Sequence, residues 1–333
     1  MRGFTYARPN SAGEAVEMMT RAAGLSPRFF AGGTTLVDLM KLEVEVPGHL
    51  IDLTGLSDLA EYDVSSPREL VFGSLVRMSD LADDRFVQAR YPALTESLWK
   101  AASQQLRNMA TLGGNLLQRT RCAYFRDSQY PCNKREPGSG CSAIEGVSRG
   151  HAILGTSDHC IAVYPGDFAV ALAAFDAVVD TMGPRGARSI PLLDLHLEPG
   201  STPHAETSLA SDELITRIRV PATDAGKGST YQKIRDRESY AFALTSAAVA
   251  LDFADDRVKE ARIALGGVAT KPWRAWSAEE SLIGQPLTEG TARRAGELAF
   301  AGARTTSQNA FKIPLGIQTV VESLMIAQQR ALA

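Results

Sequence analysis

Arg28-Phe29-Phe30-Ala31-Gly32-Gly33-Thr34-Thr35-Leu36 holds a strand, a turn and a helix start in one short run. The apolar residues predict a short buried strand over 28–31, and Leu36 to Leu42 predicts a helix. Between them, successive glycines permit positive φ and bring backbone N–H groups close to a ligand. At a helix start such a turn suits phosphate oxygens, with the Thr34 and Thr35 hydroxyls as extra donors. The competing possibility is a tight turn that holds nothing.

Working outward, residues 12–24 predict a helix, with Ala15, Met18, Met19 and Ala22 at helical spacing and Gly24 as the stop. His49–Leu53 and Leu70–Gly73 predict strands, and 78–102 alternates short helices with loops. A second glycine turn, Thr111-Leu112-Gly113-Gly114-Asn115, follows. Two such turns suit a pyrophosphate. Neither matches G-x-G-x-x-G, which disfavours a Rossmann site, and neither continues into Gly-Lys-Ser/Thr, which excludes a P-loop. Asp167–Phe175 predicts a helix, Val178–Met182 a strand, and Gly183-Pro184-Arg185-Gly186 a turn. Leu214–Val220 alternates like a strand and stops at Pro221, where Thr223–Gly228 predicts a domain boundary. Antiparallel strands over 229–234, 246–253 and 260–268 and helices over 288–303 and 315–333 complete the chain.

The 333 residues and a net charge of −3 predict about two domains and argue against a general nucleic-acid or membrane-surface binder. No stretch approaches the ~18 consecutive apolar residues of a membrane span. Met1-Arg2-Gly3-Phe4-Thr5-Tyr6 lacks the apolar core of a signal peptide, so the expected compartment is the cytoplasm. All four cysteines, Cys122, Cys132, Cys141 and Cys160, fall in or beside a Pro/Gly-broken, cation-rich stretch. A loop this long inside a domain is functional or disordered. The C-x9-C-x8-C-x18-C spacing lacks the short Cys pair of a zinc site and the C-x-x-C of thioredoxin chemistry. Iron–sulfur ligation, zinc, disulfides and free thiols all stay open on spacing alone. In the first case the nearby Arg and Lys would offset the cluster's negative charge. The five histidines form no metal or triad pattern, and no nucleophile elbow occurs. With no catalytic side chain in view, a cofactor is expected to carry the chemistry.

The first glycine run, Thr111 to Asn115 and Pro165-Gly166-Asp167 together resemble the FAD-binding subunit of the molybdenum hydroxylase (xanthine dehydrogenase) family. Tyr231-Gln232-Lys233-Ile234-Arg235-Asp236-Arg237 and Leu265-Gly266-Gly267-Val268 fit the second domain of the same family. The runs Asn115 to Cys122, Pro131 to Arg135 and Pro137 to Cys141 are similar to the FAD/[4Fe–4S] subunit of bacterial three-subunit aldehyde oxidoreductases.

The resemblance implies an α+β protein. A two-part FAD-binding domain of the vanillyl-alcohol-oxidase/PCMH type would span 1–221, as 1–58 and 59–221, with an Fe–S loop at 119–160. A C-terminal α+β domain would span 222–333. Arg28, Phe29, Phe30, Ala31, Gly32, Gly33, Thr34, Thr35 and Leu36 would wrap the pyrophosphate. Thr111, Gly114 and Asn115 would complete the second turn beside Gln118. Asp167 would bind FAD, and Ile215 and Lys233 would approach the flavin, the lysine charge favouring its reduced anion. Thr35 departs from the Asp or Asn of many relatives and is a poorer acceptor. Cys122, Cys132, Cys141 and Cys160 would hold a [4Fe–4S] cluster. The implied partners are a molybdopterin-containing large subunit, a [2Fe–2S] small subunit and an external electron acceptor. Export with a partner would make the compartment periplasmic. The competing functions are a self-sufficient flavin oxidoreductase with its own small substrate and a zinc- or disulfide-stapled assembly protein.

Overall fold

The computed structural model describes residues 1–333. Three strands, β1 (Thr5–Ala7), β2 (Arg28–Phe30) and β3 (His49–Asp52), form a parallel sheet in the order β1-β3-β2. Parallel pairing demands crossovers. The helices Ala12–Arg21 and Leu36–Lys41 supply them. Ser11 caps the first helix by accepting the Glu14 N–H at 3.1 Å. Its buried stripe is Ala12, Ala15, Val16 and Met19, packed with Ile51 and Leu53. The expected stripe is rotated: Met18 and Ala22 are only half-buried, because the sheet meets the helix one residue round.

The next five strands are β4 (Tyr62–Asp63), β5 (Glu69–Gly73), β6 (Val178–Gly183), β7 (Gly186–Pro191) and β8 (Leu214–Pro221). They form an antiparallel sheet ordered β4-β5-β8-β6-β7. Strand β7 leaves no sequence signal, since only Ile190 along it is buried.

The remaining sheet is antiparallel, ordered β12-β11-β10-β9, from β9 (Ser229–Ile234), β10 (Thr245–Ala254), β11 (Arg257–Gly266) and β12 (Trp273–Arg274). Asp255 and Asp256 both take positive φ, 49° and 62°, as a two-residue hairpin turn requires. Both faces of this sheet are buried. Ala247, Val249, Leu251, Ile263 and Leu265 face the helices Trp276–Leu282, Glu289–Ala299 and Lys312–Leu332. Ala248, Ala250 and Ala264 share a core with the helix Phe168–Ala174, every residue of which is buried. Alanines on both sides allow close approach. A Cβ at Gly266 would lie 2.6 Å from Val170. No helix is long and apolar enough to cross a membrane.

The cysteine stretch holds only two short helices, Ala123–Arg126 and Ser142–Glu145, yet it is tied at both ends. Arg126 makes a two-pronged contact with Asp38 at 2.9 and 3.0 Å, and Arg121 reaches the same carboxylate at 2.9 Å. Phe125 and Cys132 form a small core with Leu39. Toward the C-terminal side, the Ile153 and Leu154 amides donate to the Val268 carbonyl at 2.8 and 3.0 Å. Tyr164 N–H donates to Ala269 and Arg304 N–H to Ile153. The stretch therefore joins the two halves of the chain.

Candidate cofactor cleft

The two glycine turns meet. A Cβ on Gly32 would sit 1.9 Å from the Met109 carbonyl oxygen, so only glycine allows this approach. Gly33 takes φ +70°, and the Phe30 ring backs it, so that a Cβ there would lie 2.8 Å from the ring. The N–H groups of Gly32, Gly33, Thr34, Thr35 and Leu36 donate to no backbone acceptor. These residues, with Phe29 and Ala31, line a cleft of ≈ 920 Å³. Arg28 also reaches the cleft wall, while its guanidinium is held by Glu45 at 3.1 Å. Phe30 alone of the first run does not line the cleft.

The second turn is built differently from the first. Thr111 Oγ1 accepts the Gly114 N–H at 3.3 Å, and the Leu112, Gly113 and Asn115 amides are spent on Val76, Ser74 and Thr111. This turn presents side-chain oxygens to the cleft instead. Asn115 Oδ1 and Ser74 Oγ are buried, line the cleft and have no partner. Buried polar atoms are normally satisfied, so orphans at a cavity wall point to a ligand. Gln118 lines the cleft and donates to Asn115 O at 3.1 Å, and Ile215 contributes apolar wall from β8. Five free amides, two orphan oxygens and this volume fit an elongated, phosphate-bearing dinucleotide such as FAD.

The far wall comes from the C-terminal half. Lys233 Nζ lies 2.7 Å from Asp167 Oδ2, with side chains 1% and 7% exposed. Tyr231 Oη donates to Asp167 Oδ1 at 2.6 Å, and Lys233 donates to Lys100 O at 2.9 Å. Burial pushes the Asp167 carboxyl up, and Lys233 and Tyr231 pull it back. Both residues line the cleft, but as each other's partners.

His196, Lys134, Arg237, Tyr240, Ala241 and Phe242 also line the cleft. Lys134 and Arg237 stand in runs already singled out in the sequence, whereas the other four left no sequence signal. His196 donates Nε2–H to Leu116 O at 2.9 Å and leaves Nδ1 buried without a partner. Burial pushes its pKa down to about 4. The folded state therefore refuses a proton that the unfolded state takes near 6.5. This group has no effect on stability above 6.5 and costs stability as pH falls toward 4. Melting His196→Gln beside the parent from pH 7 to 4.5 should show the parent losing more stability. Parallel losses would refute this.

The four cysteines are free, so no disulfide staples the loop. Burial pushes the Cys122 thiol up to about 11, with Cys132 and Cys160 among its charged neighbours. Cys160 in turn feels Cys141, Cys132 and the opposing charge of Lys134. Cys132 and Cys141 pair in an isolated antiparallel bridge, and Cys122 packs against the small core that holds Cys132, but no three His, Cys, Asp or Glu side chains meet closely enough to hold one metal ion. That departs from a zinc tetrahedron, whereas a [4Fe–4S] cluster would take one thiolate per iron. Most loop cations are spent on carboxylates: Arg121 and Arg126 on Asp38, Arg119 on Glu45 and Glu206. Lys134 stands near Cys160 and also pairs with Glu206 at 3.6 Å. Arg121, Lys134 and Ala162, each close in sequence to a cysteine, line the cleft.

Residues 2–223 match the family model described as the FAD binding domain in molybdopterin dehydrogenase. Residues 229–310 match the CO dehydrogenase flavoprotein C-terminal domain. The chain is 47% identical over 332 residues to the aldehyde oxidoreductase FAD-binding subunit PaoB of Escherichia coli (strain K12), covering 99% of this chain and 100% of that one. It superposes on a chain of carbon monoxide dehydrogenase from Hydrogenophaga pseudoflava with a TM-score of 0.77 at 27% identity, covering 99% and 98% of the two chains. Quinoline 2-oxidoreductase from Pseudomonas putida 86 gives a TM-score of 0.75 at 25% identity, with 99% and 98% coverage.

Proposed function

Because this chain belongs to the family of FAD-binding subunits of molybdenum hydroxylases, we propose that it is the FAD- and [4Fe–4S]-containing electron-transfer subunit of a molybdenum-dependent aldehyde oxidoreductase. The aldehyde would be oxidised on a molybdopterin-containing large subunit. A [2Fe–2S] small subunit would deliver the electrons, and an external acceptor would remove them. One juxtaposition carries this reading: Gly32–Leu36, with their unspent amides, line a cleft whose wall also carries the cysteine stretch.

Bound FAD supplies exchange between single-electron metal centres and two-electron acceptors. The chain's own residues do the holding. The amides of Gly32–Leu36 take the phosphate charge. Asn115 and Ser74 offer hydrogen bonds to the polar parts of the cofactor. Lys233 keeps a positive charge in the wall, fixed by Asp167. Cys122, Cys132, Cys141 and Cys160 supply four thiolates, with Lys134 offsetting part of their charge. No side chain in the cleft is assigned as catalytic.

The test is flavin and metal content of the purified complex. The expectation is about one FAD and about four irons per chain. Zinc without iron would refute the cluster, and absence of flavin would refute the whole reading. Cys132→Ser should lose the iron. It should also loosen the flavin, since Arg121 and Lys134 share the stretch and line the cleft. Aldehyde turnover by this chain alone would favour a self-sufficient flavin oxidoreductase.

A further inference from the structure

We propose that His151 is a positioning residue that donates a hydrogen bond from Nε2 to the Cys122 sulfur and thereby raises the reduction potential of the cluster. The proposal rests on the [4Fe–4S] reading of the four cysteines. His151 Nε2 lies 3.2 Å from Cys122 Sγ. The ring is buried, and Nδ1 has no partner. Its backbone is fixed, with its N–H donating to Ser148 O at 2.9 Å, and the next amide, Ala152, donating to Ile161 O at 2.9 Å.

Two arguments select the tautomer. An iron-bound thiolate has no proton to give, so the facing nitrogen must be the donor. A proton on Nδ1 instead would strand a buried donor and would set two lone pairs against each other. Nε2–H facing sulfur avoids both. A donor at sulfur withdraws negative charge from the cluster and stabilises the reduced, more negative state more than the oxidised one. None of the other cysteine sulfurs has a side-chain donor; Cys160 Sγ accepts only the Ala162 amide, at 3.5 Å.

The experiment is a redox titration of the holo-complex followed by electron paramagnetic resonance. It uses the parent, His151→Phe and His151→Gln, with iron measured on each. The Phe variant should keep its iron and have a reduction equilibrium about tenfold less favourable, which is about 59 mV for one electron. The Gln variant, which restores an N–H near the Nε2 position, should stay close to the parent. The flavin potential should not move. A Phe variant with parental potential would overturn the proposal. If the Phe variant loses iron, the parent labelled with 15N-histidine decides. A weak 15N coupling to the reduced cluster supports the hydrogen bond. No coupling, or the strong coupling of a ligated nitrogen, overturns it. A parent without iron overturns the cluster reading itself, and this proposal falls with it.

Discussion

Gly32→Val should yield a protein with no bound flavin. The obstacle to the new side chain is the Met109 carbonyl, 1.9 Å from where the Cβ would stand. Overpacking against movable side chains typically costs about 1–3 kcal/mol. A backbone atom cannot rotate aside, so the two turns must separate and the turn that carries the five free amides is disrupted. Flavin absorbance in the visible, per unit protein, reads the effect. Gly13→Ala is the control, since a Cβ there meets nothing closer than Ser11 Oγ at 3.9 Å. It should leave flavin content unchanged, with a helix gain of at most about 1 kcal/mol. Full flavin in Gly32→Val would mean that the close approach of the turns is not what shapes the site.

Lys233→Met should be the most destabilising single change at the interdomain wall. It leaves Asp167 buried, with Tyr231 as its remaining side-chain donor. Breaking one side of a buried pair costs about 3–5 kcal/mol. At about 2–4 °C per kcal/mol, the melting temperature should fall by roughly 10 °C. The pH dependence has a definite sign. Burial already raises the Asp167 carboxyl, and losing the lysine raises it further. The neutral acid is then the form the folded state prefers, so the variant regains stability as pH falls from 8 toward 5. Lys233→Met/Asp167→Asn removes both charges and should recover most of the loss. If it recovers stability and still binds FAD at a lowered flavin potential, Lys233 serves the flavin as well as the fold. A single variant as stable as the parent would show that the pair contributes nothing.

Much of this protein was legible from neighbouring residues alone. The strand and helix around Gly32-Gly33 follow from apolar spacing and from the glycines' freedom in φ. Strand β9 has its predicted bounds, and β10 and β11 differ from theirs by one to three residues at each end. The cysteine set announced itself by position. Strands β1, β4 and β12 did not, being two or three residues long and defined only by the strands they pair with.

Other features belong to pairs of residues distant in sequence, and no local pattern encodes them. Lys233 and Asp167 meet because β9 runs past the start of the helix Phe168–Ala174, and burial then forces two opposite charges into one contact. Thr111 to Asn115 looks like a second amide cradle, yet Val76 and Ser74 have already taken two of its donors. His151 lies near the cysteines in the sequence, where it reads as a surface imidazole, an alternative ligand or a neighbour of the ligands, and only the 3.2 Å to Cys122 selects among these. Propensity, periodicity and turn chemistry are properties of a short stretch, so the sequence alone determined the longer elements with buried faces, the glycine turn and the clustered cysteines. Which donors remain unspent, which charges are paired and which ring faces which sulfur depend on how those elements pack, and only the tertiary structure decided them.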